Sequence, residues 1–332
     1  MIRMGFIGLG GMGLHQARTF ARVAGCQVVA GADVAEKSRA DFLRAFPGAE
    51  VYDDYRRLLV DARVDAVMIA VPTGFHRVVA SDALKAHVPV LLEKPMARTV
   101  AECHRLIDLS EQTRTLLMVA HCRRFDAHWG VLARQVASGR LGTPVLWRDV
   151  MAGIGPGRWF MDDKLGGGPL LDGAVHNYDF ANHIFGDPKS VVSSSIKLNP
   201  GVTAIDTGTA VVRYKSGHQL LMSWSWTARG CALHDIVGPK GFLQFGTGPL
   251  TPPADEKGKY HYCCLTDARG NPRLLKAKVE PNMYVRQARH FLDCVRGRAR
   301  CLSPGTEAVK AIAVAEAVLK AGPAGRSCEV KW

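Results

Sequence analysis

Residues 5–17 read GFIGLGGMGLHQA, and the glycines Gly8, Gly10 and Gly13 stand in the spacing GxGxxG. The apolar run before them predicts a buried strand from about Ile2, and the apolar residues after them recur at helical spacing. The first glycine permits a tight turn, the second a close approach to the main chain, and the third close packing of helix on strand. The stretch therefore predicts a strand, a turn and a helix whose N-terminus faces a ligand.

The start of that helix offers unpaired N–H groups and the positive end of a helix dipole, which suit a pyrophosphate. Asp33 stands twenty residues beyond the last glycine, at the end of the second predicted strand. A carboxylate there accepts hydrogen bonds from both adenosine ribose hydroxyls and repels a 2′-phosphate. We therefore expect a dinucleotide on the glycine turn, including Gly11 and Met12, with NAD favoured. NADP stays open because Lys37 and Arg39 follow closely.

The first 121 residues alternate strand and helix patterns. Helical stretches separate runs rich in valine, isoleucine and leucine, which predict further buried strands at 26–33, 64–72, 88–95 and 115–121. Continuous apolar strands between amphipathic helices predict a doubly wound parallel sheet. We expect this α/β domain to span residues 1–121.

After residue 121 the pattern changes to long segments with strand character. They lie at 144–153, 190–199, 208–228 and 232–245, and YKSG at 214–217 reads as a hairpin turn. Helices are predicted at 127–138, about 167–185, 284–296 and from a Ser303 N-cap to Gly322. This pattern predicts a second, α+β domain over residues 122–332, built on a largely antiparallel sheet.

Composition narrows the class of protein. The chain has 332 residues, 47% of them apolar, and its longest apolar run, at 66–71, is too short to cross a membrane. Nine cysteines without a CxxC, and with only the adjacent pair Cys263 and Cys264, favour reduced thiols in a cytoplasmic enzyme. No cluster of metal ligands stands out, and no signal peptide is apparent.

The formal net charge is +13, but the basic residues are scattered. Their densest run, at 295–300, is short and lacks interleaved aromatic residues, which argues against nucleic-acid binding. The positive charge instead favours an anionic cofactor and an anionic substrate.

Two further segments, Pro72–His76 and Glu93-Lys94-Pro95, follow predicted strands at the carboxyl ends where a parallel sheet exposes its chemistry, and a third, Asp172…His176, lies in the second domain. With RRFD at 123–126, SGRLG at 138–142 and GPKGFLQF at 238–245, they make the chain resemble the Gfo/Idh/MocA family of NAD(P)-dependent dehydrogenases, which includes glucose–fructose oxidoreductase and inositol dehydrogenase. The resemblance runs essentially end to end. It implies a Rossmann domain, an open-faced and mostly antiparallel sheet domain, and a homodimer or homotetramer formed through those sheets. It also implies oxidation or reduction of one carbon of a sugar, cyclitol or sugar derivative.

Hydride transfer from a secondary alcohol also requires loss of the hydroxyl proton, and a histidine ordinarily titrates near neutral pH. His176 is therefore the expected acid/base. Lys94, as a cation, can stabilise a developing alkoxide and share the proton. Asp172, four residues before His176 and on the same predicted helix face, can orient the site. The resemblance places all three around the reacting carbon.

Other contacts are expected around these residues. Cofactor contacts are expected from Pro72, Thr73, His76, Glu93 and Lys94, and Pro95 is expected to direct Lys94 through a peptide bond that similar proteins often hold cis. The expected substrate contacts are Lys94, Arg123, Arg124, Arg158, Trp159, Asp172, His176, Asn177 and Asp179, with Tyr284 within reach. In the loop GPGRWF at 155–160, Trp159 either closes over a sugar face or serves packing alone.

Two departures and two alternatives stand beside this hypothesis. Cys122 replaces an asparagine frequent in relatives, which puts a simple transfer of sugar specificity in doubt, and Ala174 replaces a glycine. Several arginines point to a substrate bearing a carboxylate or phosphate. The alternatives are NAD-dependent glycoside cleavage by transient oxidation and elimination, and a non-catalytic dinucleotide sensor.

Overall fold

The computed structural model describes residues 1–230 and 232–332. Contacts within the chain divide it into two compact units, each with its own sheet. The first unit comprises Met1–Cys122 and Tyr284–Val309, and the second comprises Arg123–Met283 and Lys310–Trp332.

The first unit contains a parallel sheet, as predicted, but it has six strands, because a short strand at Glu50–Tyr52 was not predicted. Its strands are β1 (Ile2–Ile7), β2 (Cys26–Ala32), β3 (Glu50–Tyr52), β4 (Ala66–Ile69), β5 (Val90–Leu92) and β6 (Leu117–Val119). They are ordered β3-β2-β1-β4-β5-β6, with every neighbouring pair parallel. Strands β4, β5 and β6 are buried along their whole length, which explains their continuous apolar sequences. This strand order is that of a Rossmann fold, whose ligands bind beyond the carboxyl ends of the strands.

Helices connect these strands. They are α1 (Gly11–Ala21), α2 (Glu36–Ala45), α3 (Tyr55–Asp61), α4 (His76–Lys85) and α5 (Val100–Thr113). Side-chain caps define two of the starts, since Asp54 accepts from the Arg56 amide and Thr99 from the Glu102 amide. The turn before α1 has no side-chain cap, which leaves its N-terminal amides to a ligand.

The second unit contains a nine-stranded, mostly antiparallel sheet. Its strands are β7 (Leu146–Ala152), β8 (Pro188–Ile196), β9 (Thr207–Tyr214), β10 (Gln219–Ser225), β11 (Leu233–Gly238), β12 (Gly241–Phe245), β13 (Tyr260–Asp267), β14 (Pro272–Lys278) and β15 (Ser327–Glu329). The order is β14-β13-β12-β11-β7-β10-β9-β8-β15, and among the described strands of this second sheet only β7 and β10 pair in parallel. Strands β7 to β12 match the predicted segments, whereas β13, β14 and β15 were not predicted.

Local predictions in the second unit hold in part. Residues 214–217 form the turn between β9 and β10, as YKSG predicts. Helices α6 (Ala127–Ala137) and α7 (Val175–Phe185) lie where helices were expected. The stretch predicted as one helix from about 167 is instead a π-helical turn, Pro169–Gly173, followed by α7.

The adjacent cysteines lie on β13. Cys263 and Cys264 are both buried, and neither forms a disulfide. Burial raises the pKa of the Cys263 thiol to about 12, so it stays protonated and unreactive at neutral pH. Cys231 lies outside the described residues, and the prediction of a reduced thiol there stays a prediction.

One segment departs from the single boundary expected at residue 121. Residues 284–309 were expected in the second domain, but they belong to the first unit. The reason is packing by α8 (Met283–Val295), whose Phe291 meets Phe20 of α1 edge to face at 6.2 Å between ring centroids. Beyond α8, the carbonyl of Ser303 accepts from the amide of Val119 at 2.9 Å.

The last helix, α9 (Gly305–Ala321), ends just before Gly322 as predicted, but Ser303 does not cap it. The amides of Glu307 and Ala308 donate to the carbonyl of Pro304, and the hydroxyl of Ser303 is buried without a hydrogen bond inside the described part of the chain.

Candidate functional site

The three glycines of the turn differ in what surrounds them. Gly8 has a φ of +87°, and a Cβ there would lie 2.5 Å from the carbonyl oxygen of Ala70. A Cβ at Gly13 would lie 1.8 Å from the carbonyl oxygen of Gly8, so no side chain fits. Around Gly10 and Gly11, by contrast, a Cβ would meet no atom within 4 Å. The first and third glycines are therefore required by packing, and the open space at the other two fits a pyrophosphate against the main chain.

Asp33 follows β2 and accepts a hydrogen bond from the main chain of the glycine turn. Its Oδ2 accepts the amide of Leu9 at 2.7 Å, and its Oδ1 accepts the amide of Ala35 at 2.8 Å. Each carboxylate oxygen has a further lone pair, so both can still accept ribose hydroxyls. Arg39 donates to the main-chain carbonyls of residues 33 and 34, at 2.7 and 3.0 Å. Its guanidinium therefore lies beside the same chain segment.

The loop after β5 carries Lys94 and is fixed by its neighbours. Glu93 is only 7% exposed, and its Oε1 accepts a 2.9 Å hydrogen bond from Nε2 of Gln16, which is fully buried in α1. Oε2 of Glu93 accepts the amide of Lys94 at 3.2 Å, and the peptide bond from Lys94 to Pro95 is cis. Glu93 thus holds the loop that presents Lys94. Sequence reasoning missed Gln16, although a glutamine on the buried face of α1 is itself a signal.

His76, at the start of α4, ties this loop to the one after β4. The ring is buried, with Nδ1 2.7 Å from the carbonyl oxygen of Pro95 and Nε2 2.9 Å from that of Val71. Because a carbonyl oxygen only accepts hydrogen bonds, a ring nitrogen that carries a proton donates to the carbonyl it faces. Pro72 and Thr73 lie between, and Thr73 is buried. His76 therefore positions main chain on both sides of it.

In the second unit, Asp172 and His176 come from two successive helical pieces. Asp172 is buried in the π-helical turn, and His176 follows in the first turn of α7. Between them, Gly173 lies against the sheet, where a Cβ would come within 2.4 Å of the Trp224 ring and 2.8 Å of the Trp226 ring. The segment from Asp172 to His176 therefore packs against Trp224 and Trp226 through Gly173.

Two of the expected substrate-binding arginines have protein partners. Arg124 makes a two-pronged ion pair with Asp179, at 2.9 and 2.6 Å, and their side chains are only 3% and 1% exposed. Arg123 donates to Oδ1 of Asn177 at 2.6 Å and lies over the Trp129 ring at 4.2 Å. These contacts give Arg124 and Asp179 a structural role, and the substrate contact expected for them stays a prediction.

Arg158 lies in a cavity of about 450 Å³ in the second unit. Its φ is +52°, and it makes no ion pair with any described residue. Trp159 stacks on Phe160 with ring centroids 3.7 Å apart, so packing covers one face of its ring. The tryptophan that lines the cavity is Trp226. The remaining polar lining comes from Asp162, Asn199, Thr203 and Thr227.

Tyr284 packs within the first unit, where its ring meets His15 edge to face at 4.7 Å. Throughout residues 1–230 and 232–332, no three histidine, cysteine or acidic side chains converge as a metal site would require. In the same residues, no helix combines the length and apolar character needed to span a membrane.

Comparison with known proteins agrees with this arrangement. Residues 2–121 match the model of the GFO/IDH/MocA oxidoreductase family with an NAD-binding Rossmann fold. Residues 131–244 match the model of a GFO/IDH/MocA C-terminal domain. Together these matches cover more than half of the chain.

Among similar proteins, the inositol 2-dehydrogenase of Rubrobacter xylanophilus is 33% identical, and the match covers 86% of this chain and 96% of that protein. Inositol 2-dehydrogenase 1 of Saccharopolyspora erythraea is 35% identical, but the match covers 54% of this chain and only 52% of that protein.

A crystal structure of an oxidoreductase from Agrobacterium radiobacter, in complex with NAD+, L-tartaric acid and magnesium, shares the fold. Its TM-score is 0.82 at 20% identity, over 99% of this chain and 98% of that one. The order of glycine turn, EKP and DxxxH, the two sheets and both family models lead to one conclusion: the chain belongs to the GFO/IDH/MocA family of oxidoreductases, whose N-terminal Rossmann fold binds NAD.

Proposed function

We propose that the protein is an NAD-dependent dehydrogenase acting on a secondary hydroxyl of a sugar, cyclitol or sugar derivative. The observation that carries the proposal is the fixed presentation of Lys94, whose loop is held by Gln16 through Glu93 and by His76 through Pro95. The names of similar proteins, inositol 2-dehydrogenases among them, support the substrate class.

The first unit supplies the cofactor contacts in this proposal. The main chain at Gly10, Gly11 and Met12 holds the pyrophosphate, and Asp33 accepts the ribose hydroxyls. Pro72 and Thr73 line the path of the cofactor. When bound, NAD accepts or returns the hydride.

Three side chains act on the reacting hydroxyl group of the substrate in this proposal. His176 accepts the hydroxyl proton as the general base, because an imidazole can both accept and release a proton near neutral pH. The ammonium of Lys94 stabilises the alkoxide that develops on the same oxygen and shares its proton. Asp172 orients the reacting group by accepting a hydrogen bond.

A preference for anionic substrates rests on fewer groups than the sequence suggested. Arg158 lines the cavity of the second unit, and Arg123 and Arg124 are engaged with Asn177 and Asp179. Arg158 is therefore the residue proposed to bind a carboxylate or phosphate on the substrate. A screen that finds activity on neutral polyols alone would remove this preference.

Assembly through the second sheet belongs to the same proposal. Val192, Ser194 and Ile196 alternate outward along β8, and the two apolar members are exposed. An exposed strand face of this kind favours pairing with another copy. Sedimentation analysis distinguishes a homodimer or homotetramer from a monomer.

The direct test is a screen of NAD and NADP reduction, followed by absorbance of the reduced cofactor, across inositols, aldoses and sugar acids. Net NADH formation with a free polyol is the expected result. Glycoside cleavage without net NADH would replace the dehydrogenase with the elimination route. Binding of NAD without turnover of any substrate would favour the dinucleotide sensor.

A further inference from the structure

We propose that His234 is a further substrate-binding residue, which offers Nε2 of its imidazole to a hydroxyl group of the substrate. The inference rests on the proposed function, since it concerns the same polyol-type substrate. It adds a residue that neither the sequence motifs nor the family comparison identifies.

The imidazole is oriented by a buried carboxylate. Asp149 is fully buried in β7, and its Oδ2 lies 2.8 Å from Nδ1 of His234. Its Oδ1 accepts a 2.9 Å hydrogen bond from the indole N–H of Trp224. Because the ionised carboxylate only accepts, Nδ1 of His234 carries a proton and donates. In the neutral ring, Nε2 is then the acceptor.

The sheet places this pair beside the DxxxH segment. Asp149 is the register partner of His234 on β11 and of Met222 on β10, so three neighbouring strands meet at this level. The hydrogen bonds to Asp149 put His234 and Trp224 on the same face of the sheet. Trp224 is the ring against which Gly173 packs, directly after Asp172.

The exposed edge of the imidazole distinguishes a binding role from a structural one. The side chain of His234 is 26% exposed, and its Nε2 has no hydrogen-bond partner within the described residues. A buried carboxylate with a histidine partner costs desolvation that apolar side chains would avoid, so stability alone does not account for the pair. Recognition of a substrate hydroxyl instead requires an imidazole whose Nδ1 is fixed by a hydrogen bond and whose Nε2 is available to the substrate.

The test compares two amide substitutions in the full-length enzyme. In His234→Asn the amide takes the place of Nδ1 and can still donate to Asp149, but nothing replaces Nε2. In His234→Gln the amide reaches the position of Nε2. The matched control is His261→Asn, since His261 is an exposed histidine on β13 with no assigned role. KM and kcat for the substrate found in the screen, the Kd for NADH and the melting temperature are measured for each variant.

We expect His234→Asn to raise KM about tenfold, the scale of one lost hydrogen bond, with kcat changed less and the Kd for NADH unchanged. We expect His234→Gln to recover part of that loss and His261→Asn to behave as the unaltered enzyme. A folded His234→Asn variant with unchanged KM would overturn the inference and leave the proposed function standing. An unaltered enzyme that forms no NADH from any hydroxyl compound would overturn both.

Discussion

The side-chain amide of Gln16 donates a 2.9 Å hydrogen bond to the carboxylate of Glu93, a residue 77 positions further along the chain. Both side chains are buried. The helix that begins at the glycine turn is thereby joined to the loop that carries Lys94. We therefore expect cofactor binding and the presentation of Lys94 to be coupled through this hydrogen bond.

Replacing Gln16 with methionine tests this coupling. The substitution keeps the length of the side chain but removes the donor to Oε1 of Glu93, so we expect a loss of about 1–3 kcal/mol in the free energy of unfolding. We also expect weaker NADH binding, because the loop loses its tie to α1. Urea denaturation and fluorescence titration measure the two effects. Gln112→Met, at an exposed site on α5, is the control, and equal behaviour of both variants would contradict the assignment.

The glycines of the turn provide a second, paired prediction. Gly13→Ala places a methyl group 1.8 Å from a carbonyl oxygen, so we expect a loss of about 1–3 kcal/mol or more in stability. Gly10→Ala fills only open space and should change stability by no more than about 0.5 kcal/mol. It should nevertheless weaken NADH binding at least tenfold, because the methyl group occupies the place of the pyrophosphate. Normal NADH affinity in Gly10→Ala would place the dinucleotide elsewhere.

The proton-handling residues are tested by Lys94→Ala and His176→Ala. We expect each variant to lose about 10²–10⁴-fold in kcat while NADH binding is retained, as loss of acid–base or electrostatic catalysis predicts. Lys85→Ala and His104→Ala, both at exposed positions, are the matched controls. Near-normal turnover in both Lys94→Ala and His176→Ala would disprove the assignment.

The ion pair between Arg124 and Asp179 should act on stability rather than on substrate affinity. Arg124→Met leaves a buried carboxylate without its guanidinium, and we expect a loss of about 3–5 kcal/mol. The double variant with Asp179→Leu should recover much of this loss, because no uncompensated charge remains. Chemical denaturation gives these values. A stable Arg124→Met variant with a raised KM would instead restore Arg124 as a substrate contact.

His218 gives a prediction for pH dependence. The amide of Val145 donates to Nδ1 of His218 at 3.0 Å, and burial lowers the pKa of this imidazole from its ordinary value near 6.5. A group with a lowered pKa in the folded state contributes stability that is complete above the unfolded pKa and is lost as the pH falls through the folded value. We therefore expect the urea concentration at the unfolding midpoint to decrease as the pH is lowered from about 7.5 to about 5.

His218→Asn should remove part of that fall, because the asparagine oxygen accepts the same amide without titrating. His104→Asn, at an exposed site, should leave the fall unchanged. An identical pH profile for His218→Asn and the unaltered protein would exclude His218 as a source of acid sensitivity.

Two sequence patterns predicted the fold, namely the glycine spacing and the continuous apolar strands, because each has a direct physical cause. The glycine spacing predicted the turn at Gly8 and the tight contact at Gly13, because only glycine fits both places. Continuous apolar strands predicted the parallel sheet, since its strands are covered on both faces. Strands β13 and β14 were missed because they mix charged and polar residues with apolar ones at an edge of the second sheet.

The candidate site was harder to predict from the sequence, because the hydrogen bonds and ion pairs that support it join residues far apart in the sequence. Arg124 and Asp179 are 55 residues apart, and Asp149 and His234 are 85 apart. An arginine expected to bind substrate and one that neutralises a buried aspartate have the same sequence signature. Likewise, no local pattern distinguishes Trp159, which packs on Phe160, from Trp226, which lines the cavity.

The late segment that packs on α1 has a consequence for how the protein is made. The six strands of the first sheet are synthesised before residue 122. Phe20 of α1 is covered on one side only after Phe291 has been synthesised. Nascent chains halted near residue 122 therefore keep an apolar surface that the finished protein does not show, and this surface is the one that chaperones and proteases would meet during synthesis.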